Sequence, residues 1–71
     1  MSVHVYRREN RKFLILLTGI PDPVGGYTGW TVEWVMERGR RVDLDVEHIE
    51  VSTEMAALAQ VENLLDQLMQ S

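Results

Sequence analysis

From Trp30 to Val46 the chain reads WTVEWVMERGRRVDLDV, with apolar and polar residues alternating on either side of Gly39. A period of two is the spacing of half-buried strands, because successive side chains point to opposite faces of a sheet. Trp30, Val32, Trp34 and Met36 are expected to share one face of a first strand, and Val42, Leu44 and Val46 one face of a second. The turn between them sets the register. A three-residue loop Glu37-Arg38-Gly39, a type I turn with Gly39 at positive φ, places Trp34 opposite Val42, Val32 opposite Leu44 and Trp30 opposite Val46. A two-residue Arg38-Gly39 loop is also sound turn chemistry, but it sets Trp34 against Asp43 and Val32 against Asp45. One residue of slip turns every side chain over, so the pattern favours the bulged loop.

Upstream, Val3-His4-Val5-Tyr6 alternates, a polar cluster runs from Arg7 to Lys12, and Phe13 to Leu17 is apolar throughout. This predicts a hairpin over about residues 3–17, turning at Glu9-Asn10 with Asn10 in the left-handed conformation. A strand apolar on both faces is one covered from both sides. Thr18 to Gly29 holds both prolines and Gly19, Gly25, Gly26 and Gly29, which predicts a loop over 18–29 between two hairpins. The second hairpin spans about 30–47. Beyond Val46, Ile49 and Val51 fall out of phase, so a bulge near Glu47-His48, or the strand end, is expected there.

Ser52 or Thr53 then caps a helix over about 54–69, with Glu54 in its first turn. Met55, Leu58, Val61, Leu65, Leu68 and Met69 recur at helical spacing, and Ala57 and Leu64 widen the stripe. The fold expected is a single small α+β domain. An antiparallel sheet of about four strands, built as two β-hairpins, carries one C-terminal helix on a face, in the order β-β-β-β-α.

With 71 residues, a single core is marginal, and support from disulfides, metal or a second subunit is common. Cysteine is absent, so disulfides and thiolate metal sites are excluded, which fits a reducing compartment. The net charge of −4 and pI near 4.9 weigh against broad phosphate-backbone binding. No apolar run is longer than Phe13 to Leu17, which is far short of a membrane span. Arg7, Arg8, Arg11 and Lys12 precede it, but no signal-peptide apolar region or cleavage site follows. A cytoplasmic protein is expected.

Candidate chemistry is sparse. Asp43, Asp45 and Glu47 share a strand face with His48 beside them, and the preferred register sets Glu33 opposite Asp43. Such a row presents oxygens to a hard cation or a basic partner, but it lacks the EF-hand glycine; no metal is expected. His4 and His48 are far apart in the chain. Ser2, Ser52 and Ser71 have no evident base, so no catalytic residue and no cofactor are expected. The glycines of VGGYTGW have no lysine and lead into a strand, unlike a phosphate loop. A pocket gathering polar groups near Asp22 and Tyr27 would be the mark of an enzyme.

The function expected is a non-catalytic protein–protein interaction module: an adaptor, inhibitor or regulatory subunit that self-associates as a homodimer. One helix covers only one face of a sheet, and the surplus apolar surface calls for a second polypeptide. Leu14, Leu16, Leu64 and Leu68 are the expected self-association residues. Pro21, Asp22, Tyr27, Glu33, Asp43 and Asp45 are expected to meet a partner. The alternative is a small nucleic-acid-binding protein. Arg7, Arg8, Arg11 and Lys12 would mark one basic hairpin tip, Arg38, Arg40 and Arg41 the other, and Tyr6, Phe13, Trp30 and Trp34 would stack bases if exposed. Trp30 and Trp34 are expected in the core.

Overall fold

The longest strands cross the region expected to be a loop. In the computed structural model, which describes residues 1–70, β1 is Ser2–Arg8, β2 Arg11–Pro21, β3 Tyr27–Glu37, β4 Arg40–Arg41 and β5 His48–Ile49, and α1 is the helix Glu54–Gln70. All pairings are antiparallel, in the order β1-β2-β3-β4, with β5 also on β3. The chain is an α+β fold: an antiparallel sheet with one C-terminal helix across a face.

Thr18 to Gly29 is mostly ladder. Thr18 pairs with Thr31, Gly19 with Trp30, Ile20 with Gly29 and Pro21 with Tyr27. Only Asp22 to Gly26 turns. There the Val24 N–H donates to the Asp22 side chain at 2.8 Å, and Gly25 N–H donates to the Asp22 carbonyl at 3.0 Å. Pro21 is tolerated because it ends its strand. Gly19 is required by a close approach: a Cβ there would fall 2.5 Å from the Tyr27 ring. The residues that resemble loop punctuation are therefore strand residues with local reasons.

The expected hairpin register gives way as well. Met36 pairs with Arg41 and Glu37 with Arg40, so the loop is the two-residue Arg38-Gly39. Both residues have positive φ, 54° and 74°, as a type I′ turn demands. Val42, not Asp43, then meets the core edge, its N–H donating to Val35 O at 2.7 Å. The pairs Trp34–Val42, Val32–Leu44 and Trp30–Val46 do not form, nor does a ladder pair Glu33–Asp43. In the first hairpin the left-handed residue is Glu9, at φ 56°, rather than Asn10.

The physical cause lies in β3. Leu16 pairs with Trp34 and Leu17 with Val32, which leaves Glu33 as an extra residue, a β-bulge. The bulge reverses the phase of the strand. Trp30, Val32 and Val35 point toward the helix, while Trp34 and Met36 point away. Trp30, Val32, Trp34 and Met36 thus do not share a face, and only Trp30 of the two tryptophans lies in the core.

That core is one-sided. Phe13, Ile15 and Leu17 of β2 and Ala57, Val61 and Leu65 of α1 are completely buried, joined by Trp30, Val35 and Ile49. Each fully buried large apolar side chain contributes about 1.5–3 kcal/mol. Val42, Leu44, Val46 and Val51 pack against this cluster from the segment leading to α1. The helix is capped by Thr53, whose hydroxyl accepts the Ala56 N–H at 3.2 Å. Its buried stripe, Ala57-Val61-Leu65, is narrower than the sequence suggests, and Met55 is 82% exposed. At its far end, Tyr6 donates to Asp66 at 2.6 Å, with Arg8 3.6 Å from the same carboxylate.

Candidate functional site

Among the described residues, no layer lies over the face of the sheet away from α1. Register places Val3 beside Leu16, Val5 beside Leu14, Leu14 beside Met36 and Leu16 beside Trp34. Six apolar side chains from three strands therefore form one continuous patch. Val3 and Val5 are 56% and 53% exposed, and the other four are half-buried. At one end Lys12 and Arg38 flank Trp34 in a shallow open groove. Thr18 and Thr31 continue the face toward the other end, and His48 Nδ1 lies 3.1 Å from the Thr31 hydroxyl.

The meander gives this face a charge polarity that composition hides. Alternate turns lie at the same end of an antiparallel sheet, so the tips around Glu9-Asn10 and Arg38-Gly39 are neighbours. All seven Lys and Arg residues lie on those tips: register puts Arg7, Lys12 and Arg41 on the uncovered face and Arg8, Arg11 and Arg40 on the helix side, with Arg38 in the turn itself. Arg11 makes a bidentate pair with Glu37, at 2.7 and 2.6 Å, and Arg8 lies beside Asp66. Among the described residues, the other five cations have no carboxylate at ion-pair distance. Beyond Arg41 the chain has no further cation of either type, and Asp43, Asp45, Glu47 and Glu50 are all exposed along the β3 edge.

The expected self-association residues are split by the fold. Leu14 and Leu16 lie on the uncovered face. Leu64 is half-buried and Leu68 44% exposed on α1, which covers the other face, so one contact cannot use all four. Of the expected partner residues, Asp22 and Tyr27 have local structural work. Asp22 closes the β2–β3 turn. The Tyr27 ring, beside Pro21 across the ladder, packs on Trp30 with centroids 4.7 Å apart. Glu33 and Asp43, with Glu47, line an open depression that also holds Arg41, and Asp45 is exposed nearby. No group of His, Cys, Asp and Glu able to hold a metal occurs among the described residues.

On the helix side, Tyr27 and Trp30 border an open cleft with Ser2, Ser52 and Glu54. The hydrogen bond from Ser2, then the nearby His4, holds the Glu54 carboxyl below the usual range. His4 Nε2 is buried without a hydrogen-bond partner, 3.6 Å from Glu54. Asp22 does not line this cleft, so the polar groups expected near Asp22 and Tyr27 come instead from β1 and the helix start. Base stacking by Tyr6, Phe13 or Trp30 is not available, since Phe13 and Trp30 are buried and Tyr6 is engaged with Asp66. Trp34 is the exception. Sequence reasoning missed Val3, Val5, Trp34 and Met36 as one surface, because nothing in the alternation marks the bulge at Glu33.

No helix among the described residues is long and apolar enough to cross a membrane. Comparison with protein-family models, curated proteins and solved structures finds no match.

Proposed function

We propose that this protein is a non-catalytic protein–protein interaction module, an adaptor, inhibitor or regulatory subunit, that self-associates through its uncovered sheet face. The observation that carries this reading is the patch Val3, Val5, Leu14, Leu16, Trp34 and Met36. A sheet face of that character is stable in water when another layer covers it, and the chain's one helix is committed to the opposite face. The exposed row Glu33, Asp43 and Asp45 is left for a basic partner. A cysteine-free chain requires no oxidising compartment, which fits a cytoplasmic location.

Sedimentation equilibrium tests the reading directly. The wild-type protein is expected to dimerise in the micromolar range, and Leu16→Lys to be monomeric with unchanged far-UV circular dichroism. A wild-type protein that stays monomeric at high micromolar concentration would remove self-association from the proposal.

One observation favours a second reading, nucleic-acid binding: five cations without a carboxylate partner at one end, beside Trp34. Its test is a gel shift with single-stranded oligonucleotide at low salt. Binding that disappears when Arg7, Arg8, Arg11 and Lys12 are neutralised would promote it over the first.

A further inference from the structure

With a second copy of this chain on the uncovered face, the charge polarity of the face dictates how that copy lies. This inference rests on the self-association proposed above and adds its orientation. Two sheets packed face to face keep their strands within about 30° of parallel or antiparallel alignment. A two-fold axis along the strands would bring like ends together. Arg7, Lys12 and Arg41, which register puts on the uncovered face, and Arg38 at the tip, none paired with a carboxylate among the described residues, would then face the same four cations of the partner. Like charges brought together at a partly desolvated contact oppose association strongly.

A two-fold axis across the strands avoids this. It reverses strand direction but keeps each edge of the sheet over the same edge of the partner. The Arg38-Gly39 tip and β4, at one end of the β3 edge, then lie over β5 and its flanks at the other end of the partner's β3 edge. On those flanks the exposed Glu50 follows the inward-facing Ile49, which puts it on the uncovered side. Since a two-fold contact is reciprocal, the match is made twice. The geometry points to an antiparallel face-to-face dimer, in which Arg38 and Arg41 of each copy meet Glu50 of the other around the six-residue apolar patch.

The absence of cysteine makes the orientation measurable. A spin label on Asn10→Cys marks the basic end without entering the contact. In the antiparallel dimer two such labels sit at opposite ends of a particle about as long as one molecule, whose long extent is 41 Å; electron–electron dipolar spectroscopy is expected to read a long distance. Charge swaps give a second readout. Arg38→Glu with Arg41→Glu, or Glu50→Lys, is in each case expected to weaken the dimer about tenfold or more at low salt. All three substitutions in one chain are expected to restore it. A dimer with the labels close together, or one indifferent to the single-sided swaps, overturns the antiparallel orientation and leaves self-association standing. A protein that is monomeric throughout overturns both, whether or not its basic end captures an oligonucleotide.

Discussion

Arg38 is held at φ 54°, a conformation that costs an ordinary L-residue about 1–2 kcal/mol. The type I′ turn needs a left-handed residue there, and Asn fills that position best ahead of Gly39. Arg38→Asn is therefore expected to stabilise the protein by about 0.5–1 kcal/mol. The measurement is a urea midpoint that rises at constant slope; an unmoved midpoint would mean that Arg38 is not left-handed in solution. Single side chains also set the pH limits of stability. The hydrogen bonds from Arg11 hold the Glu37 carboxyl below the usual range, and Ser2 with His4 does the same for Glu54. A lowered folded value gives stabilisation that is complete above the ordinary carboxyl value, about 4.3, and is lost as pH falls through the lowered one. Tyr6 is the opposite case. Its hydrogen bond to Asp66 raises its pKa, so that contribution holds below the ordinary phenol value, about 10, and is lost as pH climbs through the raised one. Urea midpoints across pH are expected to show a shallower acid limb for Glu37→Gln and a shallower alkaline limb for Tyr6→Phe.

At the scale of elements, α1 is anchored by a narrow line of contacts. Leu65→Ala is expected to destabilise by about 2–5 kcal/mol, as deletion of a fully buried leucine does, while Met55→Ala changes stability by less than about 0.5 kcal/mol. Thermal melts of the two variants compare them directly, and equal effects would mean that the helix sits differently on the sheet. The same contrast shows what was legible in the sequence. The sheet, the C-terminal helix and the chain order were readable, because alternation around Gly39 and helical spacing after Thr53 are strong local signals. The length of β2 and β3 was not, because Gly19 answers to the Tyr27 ring and Pro21 to a strand end, both matters of tertiary contact. Nor was the face of Trp34 legible. A bulge adds one residue without changing residue types, so a periodic reading carries straight through it and assigns everything beyond it to the wrong side. The turn register is hidden for the same reason: the bulged loop is the one that keeps Trp34 and Val42 on one face.

At the scale of the whole molecule, the antiparallel meander gathers cations that lie some thirty positions apart in the chain at one end of a body 41 Å long. The net charge of −4 is thus the sum of a basic tip and a predominantly acidic remainder, and bulk charge is a poor guide to what either end attracts. This is also why the nucleic-acid reading keeps a specific observation despite the acidic composition. The bulge at Glu33 has one more consequence. It sends the two indoles, four positions apart in sequence, into unlike surroundings, so the chain carries two optical probes of different events. In Trp34→Phe the remaining emission is expected to respond to denaturant and to ignore dilution. In Trp30→Phe it is expected to shift to the red on dilution alone, before any unfolding.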